Sequence, residues 1–119
     1  MSLLVHTFVL DADGTWELLE DPPGGLTLAG FESTRGKLWG STGMRALGAR
    51  FFPRLDGDDL HVQPEEVEDF LAECEAVPPH LAALAEHSGC TEEYVTARFG
   101  NIVAAARRAE EVGGGVLVR

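Results

Sequence analysis

The run Gln63–Val77, QPEEVEDFLAECEAV, reads as one amphipathic helix, and its reading decides the class of fold. Val67, Phe70, Leu71 and Cys74 recur at i, i+3, i+4 and i+7, the spacing that lines side chains along one stripe of a helix. Glu65, Glu66, Glu68, Asp69, Glu73 and Glu75 fill the remaining faces with no Lys or Arg among them. Pro64 falls at the first helical position, where its missing N–H is not needed. Glu65 and Glu66 there complement the positive end of the helix dipole. Pro78-Pro79 stops the helix.

Working outward, His80–Glu86 predicts a short second helix ending at Ser88-Gly89. Thr91-Glu-Glu opens a third, on which Val95, Phe99, Ile102, Val103 and Ala106 keep a 3.6-residue period to about Glu111. Gly113-Gly114-Gly115 then releases the chain into Val116-Leu117-Val118, a short terminal strand expected to pair with the N-terminal hairpin from an edge position. On the N-terminal side, Phe51–Leu55 and Leu60–Val62 flank Asp56-Gly57-Asp58-Asp59 and read as a hairpin, with Pro53 favouring an edge arm. Ser41 or Thr42 caps a short helix through Leu47 that Gly48 ends. A short strand is expected near Lys37–Trp39. Leu3–Leu10 and Trp16–Leu19, joined by the turn residues Asp-Ala-Asp-Gly-Thr, make the first hairpin, which Asp21-Pro-Pro-Gly-Gly25 ends.

Strands first, helices later and a closing strand describe an α+β protein: a mostly antiparallel sheet of hairpins with two to three helices packed on one face. A chain of 119 residues fits a single α+β domain over 1–119. Its 45% apolar and 24% charged content suits a globular core and not disorder.

The net charge of −11 is unevenly placed. Residues 1–55 sum to −1 and residues 94–119 to +2, whereas residues 56–93 hold twelve acids and no base. Such a field repels nucleic acid and anionic membranes and attracts basic protein surfaces. No arginine cluster with interleaved aromatics suggests nucleic-acid contact. The N-terminus MSLLVHTFVL lacks the basic start and small-residue cleavage site of a secretory leader, and no run approaches the roughly 18 apolar residues of a spanning helix. Two cysteines make no disulfide framework. Together these features predict a cytoplasmic location.

Asp11-Ala-Asp13-Gly-Thr follows an apolar strand in FVLDADGTWELL, and in that run the chain resembles the first motif of the haloacid dehalogenase phosphatases. The resemblance implies Asp11 as a nucleophile at phosphorus and Asp13 as acid and base, with Mg²⁺ holding the phosphate. It ends where Trp16–Leu19 continues as a strand. The residues themselves also read as a plain turn, since Asp and Gly are what a tight turn requires.

Cys74, His80, His87 and Cys90 carry metal-ligand atoms, but Cys74 faces the core by period and no Cys-x-x-Cys knuckle accompanies them. Gly113–Gly115 precedes a strand, so it cannot aim helix N–H groups at a phosphate. No metal and no cofactor is expected. What remains is the acidic helix. It is either a solvated surface or a docking face, and six acids within eleven residues incur like-charge repulsion that a binding role would explain. The leading expectation is a non-enzymatic protein-binding domain, an immunity or inhibitor type, whose acidic face meets a basic partner, with Trp16, Phe31 or Trp39 as aromatic anchor. Two alternatives remain: a small enzyme or ligand-binding domain with a pocket drawn from His6, Phe31, Arg35 and Trp39, and a homodimer joined through the terminal strand.

Overall fold

The computed structural model describes residues 2–20 and 27–119; the expected turn at Asp21–Gly25 lies outside them. Among the described residues five strands form one sheet: β1 (Ser2–Leu10), β2 (Trp16–Leu18), β3 (Leu28–Phe31), β4 (Leu60–Val62) and β5 (Gly115–Val118). The order is β2-β1-β5-β4, with β3 also on β1, and every pairing is antiparallel. Four helices pack on it, α1 (Thr42–Ala46), α2 (Val67–Glu75), α3 (Leu81–Ser88) and α4 (Glu92–Val112), one or two more than the sequence predicts. The class is the expected α+β.

Strand alternation explains how the sheet takes its helices on one face. Val5 and Thr7 on β1, Val116 and Val118 on β5, and Leu60 and Val62 on β4 share rows of the register and turn inward. There they meet the stripe of α4, where Val95, Phe99, Ile102, Ala106 and Ala109 are buried. The Thr7 hydroxyl donates to the Ala105 carbonyl at 2.8 Å, so the one buried polar side chain of the inner row is satisfied. On α2, Val67, Phe70 and Cys74 are buried and Leu71 half-buried, as their spacing requires.

The opposite face of the sheet has no helix among the described residues. Phe8 and Leu117 are nonetheless almost fully buried there, because Trp16 from β2 lies edge-on to Phe8, with ring centres 5.5 Å apart, and edge-on to His61 of β4 at 5.9 Å. Gly115 makes this closure possible: a Cβ on it would come within 2.4 Å of the Phe8 ring and 2.3 Å of the Val62 carbonyl oxygen. Only glycine fits between strand and ring.

Three sequence expectations are corrected. The strand near Lys37–Trp39 is a helical turn of π type over Arg35–Trp39, and the strand in this region is β3. The Gly40 N–H returns to the Arg35 carbonyl at 2.7 Å, five residues back, so this stretch closes on itself instead of offering its amides to a neighbouring strand, and it leaves Leu38 and Trp39 both fully buried. Phe51–Leu55 is not a hairpin arm. Phe51, Phe52, Pro53 and Leu55 are buried without alternation, and Pro53 sits at the start of a 3₁₀ turn, Phe52–Leu55, where its fixed φ is at home. β4 pairs with β5 instead. The terminal strand β5 is central, hydrogen-bonded to β1 and β4 on its two sides and buried along its whole length, so the edge on which a strand-joined dimer was expected is already filled.

The remaining local signals fold as their chemistry dictates. Ser41 accepts the Met44 N–H and Thr91 the Tyr94 N–H, each capping its helix, and α3 and α4 end at Gly89 and Gly113 in the left-handed region. Gln63 precedes a 3₁₀ turn at Pro64–Glu66, and Glu66 closes a capping box by accepting the Gln63 N–H at 3.1 Å. Regular α-helix therefore begins only at Val67. Among the described residues no helix is long and apolar enough to cross a membrane.

Candidate functional site

The six acids singled out on the helix divide by direction. Glu73 turns inward under the segment that precedes the Phe52–Leu55 turn. Its carboxylate accepts the backbone N–H groups of Phe51, at 3.0 and 3.1 Å, of Phe52, at 3.0 Å, and of Arg50. Three consecutive amide donors on one carboxylate are a built anion seat, occupied by the chain's own side chain. Glu66 serves the capping box and lies 3.7 Å from the Arg54 guanidinium, which in turn rests 4.6 Å over the Phe51 ring. These two are structural.

Glu65, Glu68, Asp69 and Glu75 are exposed, and none makes an ion pair with another described residue. Asp69 lines a cleft of about 280 Å³ with Arg50 and Glu73, and Glu68 and Glu75 line a second, of similar size, with Arg107 and Glu110. The anionic surface is narrower than the sequence suggests, because arginines from earlier in the chain reach its first acids. Arg35 bonds Asp59 at 2.9 Å, and Arg45 lies 3.5 Å from Asp56. Neighbour charge was visible in the sequence; these long-range partners were not.

Cys74 lies behind this helix face. Burial, followed by the charge of Glu73, pushes its thiol up to about 12, so it is protonated and inert at neutral pH. His80 and His87 are exposed and Cys90 half-buried. Among the described residues no group of three or more His, Cys, Asp or Glu is placed to hold a metal ion.

The four residues expected to line a pocket do not meet. Trp39 is fully buried, its indole N–H donating to the Ala29 carbonyl at 2.9 Å and its ring stacked on Phe52. Arg35 is a strut, bonding Glu32 and Asp59 by side chain and the Asp58 carbonyl. Those two acids hold its guanidinium pKa up against the lowering effect of burial, the largest single influence. His6 alternates to the sheet face away from the helices, in the row of Leu117 and His61. Phe31 lines a cavity of about 350 Å³ together with Lys37, Cys90 and Tyr94. Sequence reasoning missed this site because Phe31 and Tyr94 come together across 63 positions.

Asp11 is used by its own turn: one oxygen accepts the N–H of Asp13 at 2.9 Å and of Thr15 at 3.0 Å. The strand before it pairs antiparallel with the strand after it. The phosphatase-like run is thus a hairpin turn and does not lead into the βα crossover that the resemblance requires.

Comparison with protein-family models, with curated proteins and with solved structures gave no match to this chain.

Proposed function

We propose that this chain is a non-enzymatic binding protein that engages a basic protein surface through Glu65, Glu68, Asp69 and Glu75, in the manner of an immunity or inhibitor protein. The observation that carries the reading is the division of acids along one helix. Two are consumed by the fold, and four remain exposed, Glu65 on the 3₁₀ turn that leads into α2 and Glu68, Asp69 and Glu75 on α2 itself, with no ion pair to a described residue. Glu65, Glu68 and Asp69 stand at i, i+3 and i+4 and repel by a few tenths of a kcal/mol per pair, and Glu75 adds to the same negative field. A cationic partner removes that repulsion and is drawn in by the long-range field. Trp39 is fully buried and offers no aromatic anchor, and Trp16, 47% exposed, stands with His61 on the sheet face away from the helices, so the reading rests on the charges.

The test is affinity capture from the native cell with the parent chain and with the Glu65→Gln, Glu68→Gln, Asp69→Gln, Glu75→Gln variant. The parent should retain a basic protein that about 0.5 M salt releases, where the Debye length falls to a few Å. Crosslinks from that protein should fall on 65–75, and the variant should lose it. Equal capture by the variant rejects the proposal.

A further inference from the structure

The cavity of about 350 Å³ beside Phe31 differs from the rest of the surface in charge and in rigidity. Its volume lies in the range of small-molecule sites. Phe31 is 56% exposed, the most exposed large apolar side chain among the described residues, yet it is fixed. Its ring stacks on Tyr94 at 5.4 Å and 16°. Its N–H donates to the Tyr94 hydroxyl at 2.9 Å, and its carbonyl accepts the Thr34 hydroxyl at 2.6 Å. Gly30 just before it has φ +123°, and an added Cβ would meet the Thr34 hydroxyl at 2.5 Å, so the turn that presents Phe31 closes only with glycine. On the other side, Thr91 holds the Tyr94 N–H at 3.1 Å. An aromatic wall held at both ends loses little freedom when something lies against it.

Charge gives the second half of the recognition. Lys37 is the only lysine of the chain and the only ionic side chain lining this cavity, in a protein of net charge −11. Among the described residues no carboxylate lines the cavity. Of those nearest in sequence, Glu32 is turned to Arg35 at 2.7 Å, while Glu92 and Glu93, between the lining residues Thr91 and Tyr94, are exposed in the first turn of α4. Lys37 is exposed and makes no ion pair with another described residue. Ser33 and Ser88 add hydroxyl groups to the rim.

We infer that this cavity is a binding site for a small aromatic carboxylate, its ring against Phe31 and its carboxylate on the Lys37 ammonium. The site is independent of the acidic helix face. Because the overall field opposes an anion, binding is modest, with a Kd in the range of about 0.1–1 mM near 0.15 M salt, where that field is screened beyond about 8 Å.

The test is titration of the full chain with benzoate and with 4-hydroxybenzoate, followed by amide NMR. Saturable shifts at residues 31–37 and 88–94, weakened about tenfold or more by Lys37→Gln and restored by Lys37→Arg, support the site. Phe31→Ala should weaken it similarly, with Phe31→Leu as the variant if the alanine form loses its native spectrum. A second readout uses Cys90, which lines the cavity while Cys74 is buried and protonated: bound benzoate should slow iodoacetamide modification of Cys90. No saturable shift up to about 10 mM benzoate, which is tenfold above the weaker bound, overturns the inference. So does undiminished binding to Lys37→Gln, or equal binding of benzylamine, which carries the opposite charge.

Discussion

Along α2, the flank under Arg50–Phe52 and the flank toward solvent carry the same kind of side chain in opposite circumstances. Glu73 is enclosed by three backbone N–H groups, whereas Glu75, two positions on, is exposed and has no ion pair to a described residue. A carboxylate on a helix is therefore not a surface charge by default. Where the chain passes overhead with orphan amides it becomes part of the framework, because those amides have no strand or helix partner of their own. The contrast assigns stability to one flank, and the proposed binding role falls to the other.

The largest effect should come from Glu73. Replacing it with alanine strands the amides of Arg50, Phe51 and Phe52, two of them on buried residues, and should cost about 3 kcal/mol, read as a lower urea midpoint at unchanged slope. Glu73→Gln keeps an acceptor oxygen and should cost roughly half as much. An effect below about 0.5 kcal/mol would mean that water serves those amides equally well and that the two flanks are alike.

Cys74, on the buried side of the same helix, gives the next test. Its thiol titrates near 12 in the fold against 9.0 when unperturbed. Between those values the unfolded chain has released a proton that the folded chain keeps. Stability is thus intact below pH 9 and falls as pH rises toward 12, at up to about 1.4 kcal/mol per pH unit. Cys74→Ala should flatten that part of the slope relative to the parent. A parallel slope would place the thiol in contact with solvent.

Glu66→Ala removes one arm of the capping box and a loose pair with Arg54, and should cost about 1 kcal/mol. Smallest of all, single changes of Glu65, Glu68, Asp69 or Glu75 to glutamine should stay within about 0.5 kcal/mol, and the fourfold change should stay in the same range, because relief of repulsion offsets the lost interaction of Glu65, Glu68 and Asp69 with the positive end of the helix dipole.

Local chemistry was legible in the residues, and long-range partnership was not. The stripe Val67–Phe70–Leu71–Cys74, the caps at Ser41 and Thr91, and the Asp11–Thr15 turn follow from spacing and from side-chain chemistry within a few positions. Arg35–Trp39 defeated the same reading because Leu38 and Trp39 are buried by partners far away, such as the Ala29 carbonyl and the Phe52 ring. The central place of β5 was hidden for a related reason: Gly-Val-Leu-Val reads the same at an edge or in the middle, and only pairing with Leu60–Val62 decides. On α2 the sequence supplied the acids but not the amides of residues 50–52 that separate Glu73 from its neighbours. The aromatic slot at Phe31 depends on a hydrogen bond to Tyr94 that no local pattern announces.

The most direct measurement takes the parent and the fourfold glutamine variant at 65, 68, 69 and 75 and reads two things on each preparation, the stability from urea unfolding and the retention of the proposed basic partner. A variant stability within about 0.5 kcal/mol of the parent together with lost retention is the expected result. Retention unchanged, or a loss of stability above about 1 kcal/mol, would contradict the division of this helix into a structural flank and a binding one.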